Sequence, residues 1–255
     1  MLLKINNLDI SYGDKLTVEG VNLELDRGEI LSIVGESGSG KTTVIRAIMG
    51  CLPGAGRVSG GSILFYDANV LDNSREEWRQ MYGKEMSMIF QDSGNMINPI
   101  RRIGEQFIDY IQTHAPEKTK AQAYELAVGM LVNVHLPNPE NIMNSYPFEL
   151  SGGMRQRVGI AMAMIFSPKL LLADEPQAQI IRQIVDVRNE YNAAVIIVTH
   201  NLGVASYVSN KIMVMQGGKV VESGRREDII SNPQHEYTKQ LLRAVPVIGG
   251  KCYYE

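Results

Sequence analysis

Cysteine is almost absent from this 255-residue chain: only Cys51 and Cys252 occur, 201 positions apart. That excludes a disulfide scaffold and any thiolate metal cluster built from this chain alone, and points to a reducing, cytosolic setting. Basic charge is not in excess. Lys and Arg number 25 against 28 Asp and Glu, a net charge of −3, so no general basic face advertises nucleic acid. Long apolar runs are missing too. The longest stretch free of Asp, Glu, Lys and Arg, Tyr191 to Asn210, spans 20 residues but holds Asn192, His200, Asn201, Ser206 and Ser209, which hydrocarbon tolerates poorly. The opening residues Met1 to Asn7 lack the apolar core of a signal peptide. A membrane role is therefore expected only through a partner. Repeats and low-complexity linkers are absent as well.

What is present is an ordinary globular composition, 44% hydrophobic and 21% charged, which excludes disorder as the main state. A mass of 28.3 kDa fits one large domain or a core with a small subdomain. The first third reads as strands: Leu2 to Leu8 and Leu16 to Leu25 alternate in part, with a turn at Tyr12-Gly13-Asp14. Glu29 to Val34 is a short apolar run that stops at a glycine-rich loop, and Thr42 to Met49 follows with helical spacing. Strand, glycine loop and helix open an α/β unit. Ile103, Phe107, Ile108 and Ile111 then recur at helical spacing, as do Ala123, Ala127, Met130, Leu131 and Val134, so residues 92–150 read as a mostly helical insertion. Afterwards come a helix from about Ser151, a buried strand Lys169 to Ala173, another helix, and a strand Ala194 to Val198. Ile212 to Met215 and Lys219 to Glu222 flank a Gly217-Gly218 turn, which predicts a hairpin. Nine of the 13 methionines fall between Met81 and Met164, as adaptable core filling or as an adaptable docking surface.

Gly35-Glu36-Ser37-Gly38-Ser39-Gly40-Lys41-Thr42 matches G-x-x-x-x-G-K-[ST] at every fixed position, between a predicted strand and a predicted helix. Glycines let the backbone curl until successive N–H groups point at phosphate oxygens. The helix start, with Thr43 in its first turn, adds its positive end. Lys41 reaches the β- and γ-phosphates, and the Thr42 hydroxyl can ligand Mg²⁺. Leu171-Leu172-Ala173-Asp174-Glu175-Pro176 is an apolar strand ending in two carboxylates. Beside a phosphate loop, Asp174 can hold Mg²⁺ through water and Glu175 can polarise an attacking water. Leu150-Ser151-Gly152-Gly153-Met154-Arg155-Gln156 is a second anion-seeking helix start, with Ser151 as N-cap.

With two phosphate-facing helix starts, the sequence resembles the ATP-binding-cassette (ABC) ATPases, whose signature the Ser151 segment matches. The resemblance implies an α/β fold in which a P-loop NTPase core, residues 1–91 and 151–245, carries an antiparallel β subdomain in its first part. It also implies a helical subdomain at 92–150, and a C-terminal tail at 246–255. It places Tyr12 on adenine, although a tyrosine packing the hairpin is a rival reading. It makes Gln91 the glutamine that senses Mg²⁺ and links to the transport subunit, and His200 the histidine that contacts the γ-phosphate and orients Glu175. ATP and Mg²⁺ are the implied ligands. Ser151, Gly152 and Gly153 would close on the nucleotide held by a second ATPase subunit, identical or different.

Residues Leu2 to about Pro246 look like the peptide and nickel importer branch. Gly35 to Gly40, Gln91 to Pro99, Tyr146-Pro147-Phe148-Glu149-Leu150 and Asn232-Pro233-Gln234-His235-Glu236-Tyr237-Thr238 carry that narrower match. It implies a peripheral protein on the cytoplasmic face of the membrane, docked on permease subunits through the 91–150 region and served indirectly by a substrate-binding protein. Nucleic acid is not an implied partner. With Cys252 alone near the C-terminus, the branch's iron–sulfur group is not expected.

Two departures stand out. Asn201 follows His200 where the family often has Asp. More seriously, Pro176 runs straight into Gln177-Ala178-Gln179-Ile180, which reads as a helix start, so a subunit-contacting loop of about eight residues is missing; such loops are often mobile. The expectation is a segment left out of the chain, with the Pro176 and Gln177 Cα atoms more than about 4 Å apart. A normal bond would instead mean a true deletion and favour a regulatory subunit that binds nucleotide without hydrolysing it. A soluble ABC ATPase acting on DNA or ribosomes is a further rival, without the basic patches or coiled-coil insertions it would favour.

Overall fold

The computed structural model describes residues 1–91 and 96–245. Residues 92–95, inside the Gln91 to Pro99 segment, and the tail 246–255 with Cys252 lie outside the described residues. Two sheets organise the chain. Strands β1 (Leu3–Tyr12), β2 (Lys15–Leu25), β4 (Gly56–Phe65) and β5 (Ala68–Asn69) form an antiparallel sheet in the order β2-β1-β4-β5. Strands β3 (Ile30–Val34), β6 (Met86–Ile89), β7 (Leu170–Asp174), β8 (Ala194–Thr199), β9 (Lys211–Gln216) and β10 (Lys219–Arg225) form a second sheet in the order β10-β9-β3-β8-β7-β6. All its pairings are parallel except the β9–β10 hairpin.

The short apolar runs become strands because both faces of this sheet are covered. Leu31, Ile33, Leu170, Leu172, Ile196 and Val198 point into the core shared with the antiparallel sheet and α1 (Lys41–Ile48). Ile30, Leu171, Ala173, Val195 and Ile197 point the other way, into a core shared with helices. Period-two alternation is thus present, but it divides one apolar residue from the next, and the few polar residues within it, Ser32 of β3 and Ser87 of β6, are themselves buried.

The segment 92–150 holds α3 (Ile103–His114), α4 (Lys120–Asn133) and α5 (Pro139–Asn144). Phe107 and Ile111 of α3 and Ala123, Ala127, Met130 and Leu131 of α4 are buried together. Thr119 and Gln122 form a reciprocal capping box that starts α4. Next come α6 (Gly152–Met164), α7 (Ala178–Tyr191), α8 (Leu202–Val208), α9 (Arg226–Ser231) and α10 (Glu236–Arg243). The clustered methionines are mainly core filling: Met86, Met88, Met130, Met143 and Met164 are buried, and Met96 is exposed.

One expectation needs correction. The first third is not all strand, because α2 (Arg75–Met81) lies within it. Ser74 Oγ accepts from Glu77 N–H and Glu77 Oε2 accepts from Ser74 N–H, a capping box that nucleates the helix against the local strand pattern. After Pro176 the chain continues into Gln177, an extended residue whose carbonyl accepts from Ile180 and Ile181, so α7 begins at once. A left-handed backbone at Glu175 (φ 45°) turns the chain immediately after β7.

Candidate functional site

The Gly35–Thr42 loop leaves the C-terminal end of β3, whose neighbours are β8 and β9. Parallel sheets bind ligands at this edge, beyond the strand ends. Gly35 is forced by contact: a Cβ there would stand 2.2 Å from the Met215 carbonyl oxygen of β9. Gly40, at φ 97°, is the left-handed residue that starts α1. Opposite this loop lie β2 and the β9–β10 turn. Gly218 N–H donates to the Ser39 carbonyl at 3.2 Å, and Glu19 N–H donates to the Gly218 carbonyl at 2.9 Å.

Lys41 is 4% exposed. Its ammonium donates to the carbonyls of Gly35 (2.8 Å) and Glu36 (2.7 Å). Burial pulls its pKa below the ordinary lysine value, and the nearby carboxylates of Glu175, Asp174 and Glu36 oppose that fall. Thr42 Oγ1 donates to Asp174 Oδ1 at 2.8 Å, so the two proposed Mg²⁺ ligands already face each other. Burial pushes the Asp174 carboxyl up, against the pull of Thr42, Arg46 and Lys41. Two adjacent hard oxygen donors, one a hydroxyl and one a carboxylate, fit Mg²⁺.

Glu175 follows at the end of β7, with its N–H donated to the Val198 carbonyl of β8 at 2.9 Å. Its Oε2 lies 3.4 Å from Nδ1 of His200, just beyond the end of β8. Lys41, Thr42, Asp174, Glu175 and His200 therefore gather at one edge of one sheet, with Ser37, Gly38 and Thr43 on the loop and first helical turn beside them. Gln91 is exposed two residues beyond β6, which pairs with β7 through Ile89 and Ala173. It belongs to the same edge.

Other expected site residues stand apart. Tyr12 ends β1, and its ring covers Gly56 so closely that a Cβ there would meet it at 2.7 Å. That contact is with the neighbouring strand β4, where Tyr12 pairs with Gly56, and it leaves Tyr12 only half-buried. Ser151 caps α6 by accepting from Met154 N–H at 3.3 Å. Ser151 and Gly152 are exposed, and no hydrogen bond among the described residues joins Ser151, Gly152 or Gly153 to the phosphate loop. Gly153 instead borders an open cleft of about 590 Å³ with Gln156, Arg157, Arg182 and Gln183.

Sequence reasoning passed over Arg46, whose charge bears on Asp174. Its signal was its place one helical turn after Thr42. Tyr237 stands in the sequence only as part of a motif, yet its hydroxyl accepts from Glu36 N–H in the phosphate loop at 2.9 Å. Nothing local could reveal a contact between residues 201 positions apart.

The sequence profile of the family described as "ABC transporter" matches residues 18–178, and that of "Oligopeptide/dipeptide transporter, C-terminal region" matches residues 221–253. An oligopeptide transport ATP-binding protein, OppD, of Salmonella typhimurium is 42% identical, with 96% of this chain and 76% of that protein covered. A dipeptide transport ATP-binding protein, DppD, of Lactococcus lactis is 38% identical, with 97% and 74% covered. The stretch aligned with the Salmonella protein is 258 residues long, more than this whole chain, so that relative holds internal residues missing here. Among solved structures, cbiO1 from Clostridium perfringens, part of the ABC transporter complex cbiONQ, superposes with a TM-score of 0.76 at 25% identity, covering 95% of this chain and 93% of that one. Matched over most of its length by both sequence and fold, the chain belongs to the ABC transporter family as one of its ATPase subunits.

Proposed function

We propose that this chain is the ATP-hydrolysing subunit of a peptide importer, held at the cytoplasmic face of the membrane by permease subunits. The observation that carries the reading is the meeting of the Gly35–Thr42 loop with Asp174, Glu175 and His200 at one sheet edge. The peptide cargo is supported by the relatives, which are named as oligopeptide and dipeptide transport proteins. A substrate-binding protein would take part only indirectly, by delivering cargo to the permease.

In this reading the loop N–H groups and Lys41 bind the phosphates of ATP, with Lys41 leaving the Gly35 and Glu36 carbonyls for the β- and γ-phosphates. Thr42 and Asp174, with Gln91 near them, would hold Mg²⁺, which when bound neutralises charge on the phosphates. Glu175 takes a proton from the water that attacks the γ-phosphorus, and ADP departs with the bridging oxygen. His200, 3.4 Å from Glu175, holds that carboxylate in line and reaches the γ-phosphate. Ser151, Gly152 and Gly153 face outward and would serve the nucleotide of a second ATPase subunit, identical or different. Tyr12 would border the adenine.

Permease docking is assigned to the surface at the start of α3. Ile100 is 82% exposed and Phe148 69% exposed, unusual for large apolar side chains. Arg102 lies 5.6 Å over the Tyr146 ring, which stacks on Phe148 at 5.4 Å, so the patch is held in shape. Gln91 leads from the nucleotide edge into this segment, a direct route for a movement at the γ-phosphate.

The internal residues that the Salmonella protein holds and this chain lacks favour one second reading: a nucleotide-binding regulatory subunit that does not hydrolyse ATP. Turnover measured at saturating Mg-ATP, with and without the co-purified membrane partner, separates the two. Turnover stimulated by the partner supports the importer ATPase, and tight ATP binding without turnover in either state supports the regulator.

A further inference from the structure

The phosphate loop is gripped from outside by the C-terminal helix. Tyr237, in the first turn of α10, is 4% exposed, and its hydroxyl oxygen accepts from the backbone N–H of Glu36 at 2.9 Å. That N–H and the Gly35 carbonyl belong to one planar peptide unit and point in opposite directions. The Gly35 carbonyl accepts from Lys41 Nζ at 2.8 Å. One peptide plane is therefore held at one edge by Tyr237 and at the other by the phosphate-binding lysine.

The seat of α10 is itself built. The Glu222 carboxylate of β10 accepts from Gln234 N–H at 2.7 Å and His235 N–H at 3.1 Å, which fixes the turn before the helix. His235 Nδ1 accepts from Tyr237 N–H at 3.2 Å. Tyr237 and Leu242 pack in one cluster with Ile212 and Val214 of β9 and with Val34, the residue immediately before the loop. Burial raises the Tyr237 phenol above its ordinary pKa, so it stays a neutral hydroxyl.

We propose that Tyr237 is a positioning residue of the phosphate loop, through which the seating of α10 sets the affinity for ATP. This rests on the reading of Gly35–Thr42 as the ATP site. When Lys41 turns to the phosphates it releases the Gly35 carbonyl, and Tyr237 is then the remaining hydrogen-bond partner of the Gly35–Glu36 peptide among the described residues. The contact matters more with nucleotide than without it, and only such a difference changes affinity. Coupling is reciprocal: ATP must tighten α10 by the same factor that α10 tightens ATP.

The test is Tyr237→Phe, which keeps the ring and removes the acceptor, with Lys41→Ala and the unaltered protein beside it. One lost hydrogen bond of ordinary strength corresponds to about three- to tenfold weaker ATP binding in direct titration. KM for ATP should rise by a similar factor, with a smaller fall in kcat. Amide hydrogen exchange should quicken at Glu36, and ATP should slow exchange across residues 236–243 in the unaltered protein but not in Tyr237→Phe. Glu222→Gln, which loosens the seat without touching the loop, should weaken ATP binding in the same direction.

Unchanged ATP affinity and unchanged Glu36 exchange in Tyr237→Phe overturn the proposal. So does a fall in melting temperature with no change in affinity well below it, because that is a packing role alone. Failure of the unaltered protein to bind ATP, or normal binding by Lys41→Ala, would instead overturn the ATP site itself.

Discussion

Glu175 carries two properties that substitution can separate, its charge and its backbone strain. Its φ of 45° is left-handed, which costs a residue with a Cβ about 1–2 kcal/mol. Glu175→Gln keeps the shape, the strain and the contact with His200, and removes only the charge that draws a proton from water. Turnover should fall by about 10²–10⁴-fold, equivalent to about 3–5 kcal/mol in the barrier. ATP affinity should hold or improve, since a carboxylate no longer faces the γ-phosphate, and a nucleotide-trapped dimer should accumulate. Glu175→Gly should be equally inactive but no less stable. Relief of strain, offset by roughly 0.4–1 kcal/mol for the freer unfolded chain, leaves a gain of up to about 1.5 kcal/mol. At about 2–4 °C per kcal/mol for a chain of this size, calorimetry of the nucleotide-free protein resolves it. Normal turnover in Glu175→Gln would remove this residue from the chemistry. A Glu175→Gly protein that melts several degrees lower would refute the strain argument.

Lys41→Ala should lose ATP binding rather than catalysis alone, by more than about tenfold for a charge-assisted contact; an unchanged dissociation constant counts against the phosphate site. Asp174→Asn should raise the melting temperature of the nucleotide-free protein at neutral pH while abolishing the Mg²⁺ dependence of ATP binding. The sign follows from the raised carboxyl: the folded state prefers the protonated form, so its stabilising contribution is full below the ordinary carboxylate range and is lost as pH rises through the raised value. The advantage of Asp174→Asn should therefore shrink as pH falls, and a lower neutral-pH melting temperature would contradict it. Cysteines placed at Ile100 or Phe148 should crosslink to a membrane subunit, and Phe148→Glu should release the complex with ATP binding intact. Crosslinks confined to residues 226–245 would reject that docking surface.

Most of the parallel sheet was legible because burial on both faces leaves β3, β7 and β8 as nearly unbroken apolar runs, with Ser32 the one polar residue inside them and Asp174 and Thr199 at strand ends. The runs were short enough to be strands and ended in recognisable chemistry. The helices α3 and α4 were legible for the opposite reason, since each buries one face and repeats at helical spacing. Strand β4 was not. Gly56, Ser59, Gly60, Gly61 and Ser62 give it little strand character of their own, and it exists because β1 offers it an edge. Helix α2 left a readable signal, Ser74 three residues before Glu77, which the surrounding strand pattern obscured.

The candidate site divides in the same way, by separation along the chain. The groups proposed to meet phosphate come from three short segments, and each segment carries its own chemistry, so a linear reading finds them. The contacts that hold those segments still do not behave so. Gly35 must be glycine because of Met215, Ser39 is met by Gly218, and Glu36 is held by Tyr237, all from the last quarter of the chain. Each partner is ordinary in its own neighbourhood: a methionine in a strand, a glycine in a hairpin, a tyrosine in a short helix. Only the crossover that places β9 beside β3 makes them neighbours of the loop. The residues of the glycine loop and the strand ends carry chemistry that is legible locally, and residues far along the chain bear on how firmly the loop is held. On the proposed reading, the C-terminal strands and α10 belong to the ATP site as much as the glycine loop does.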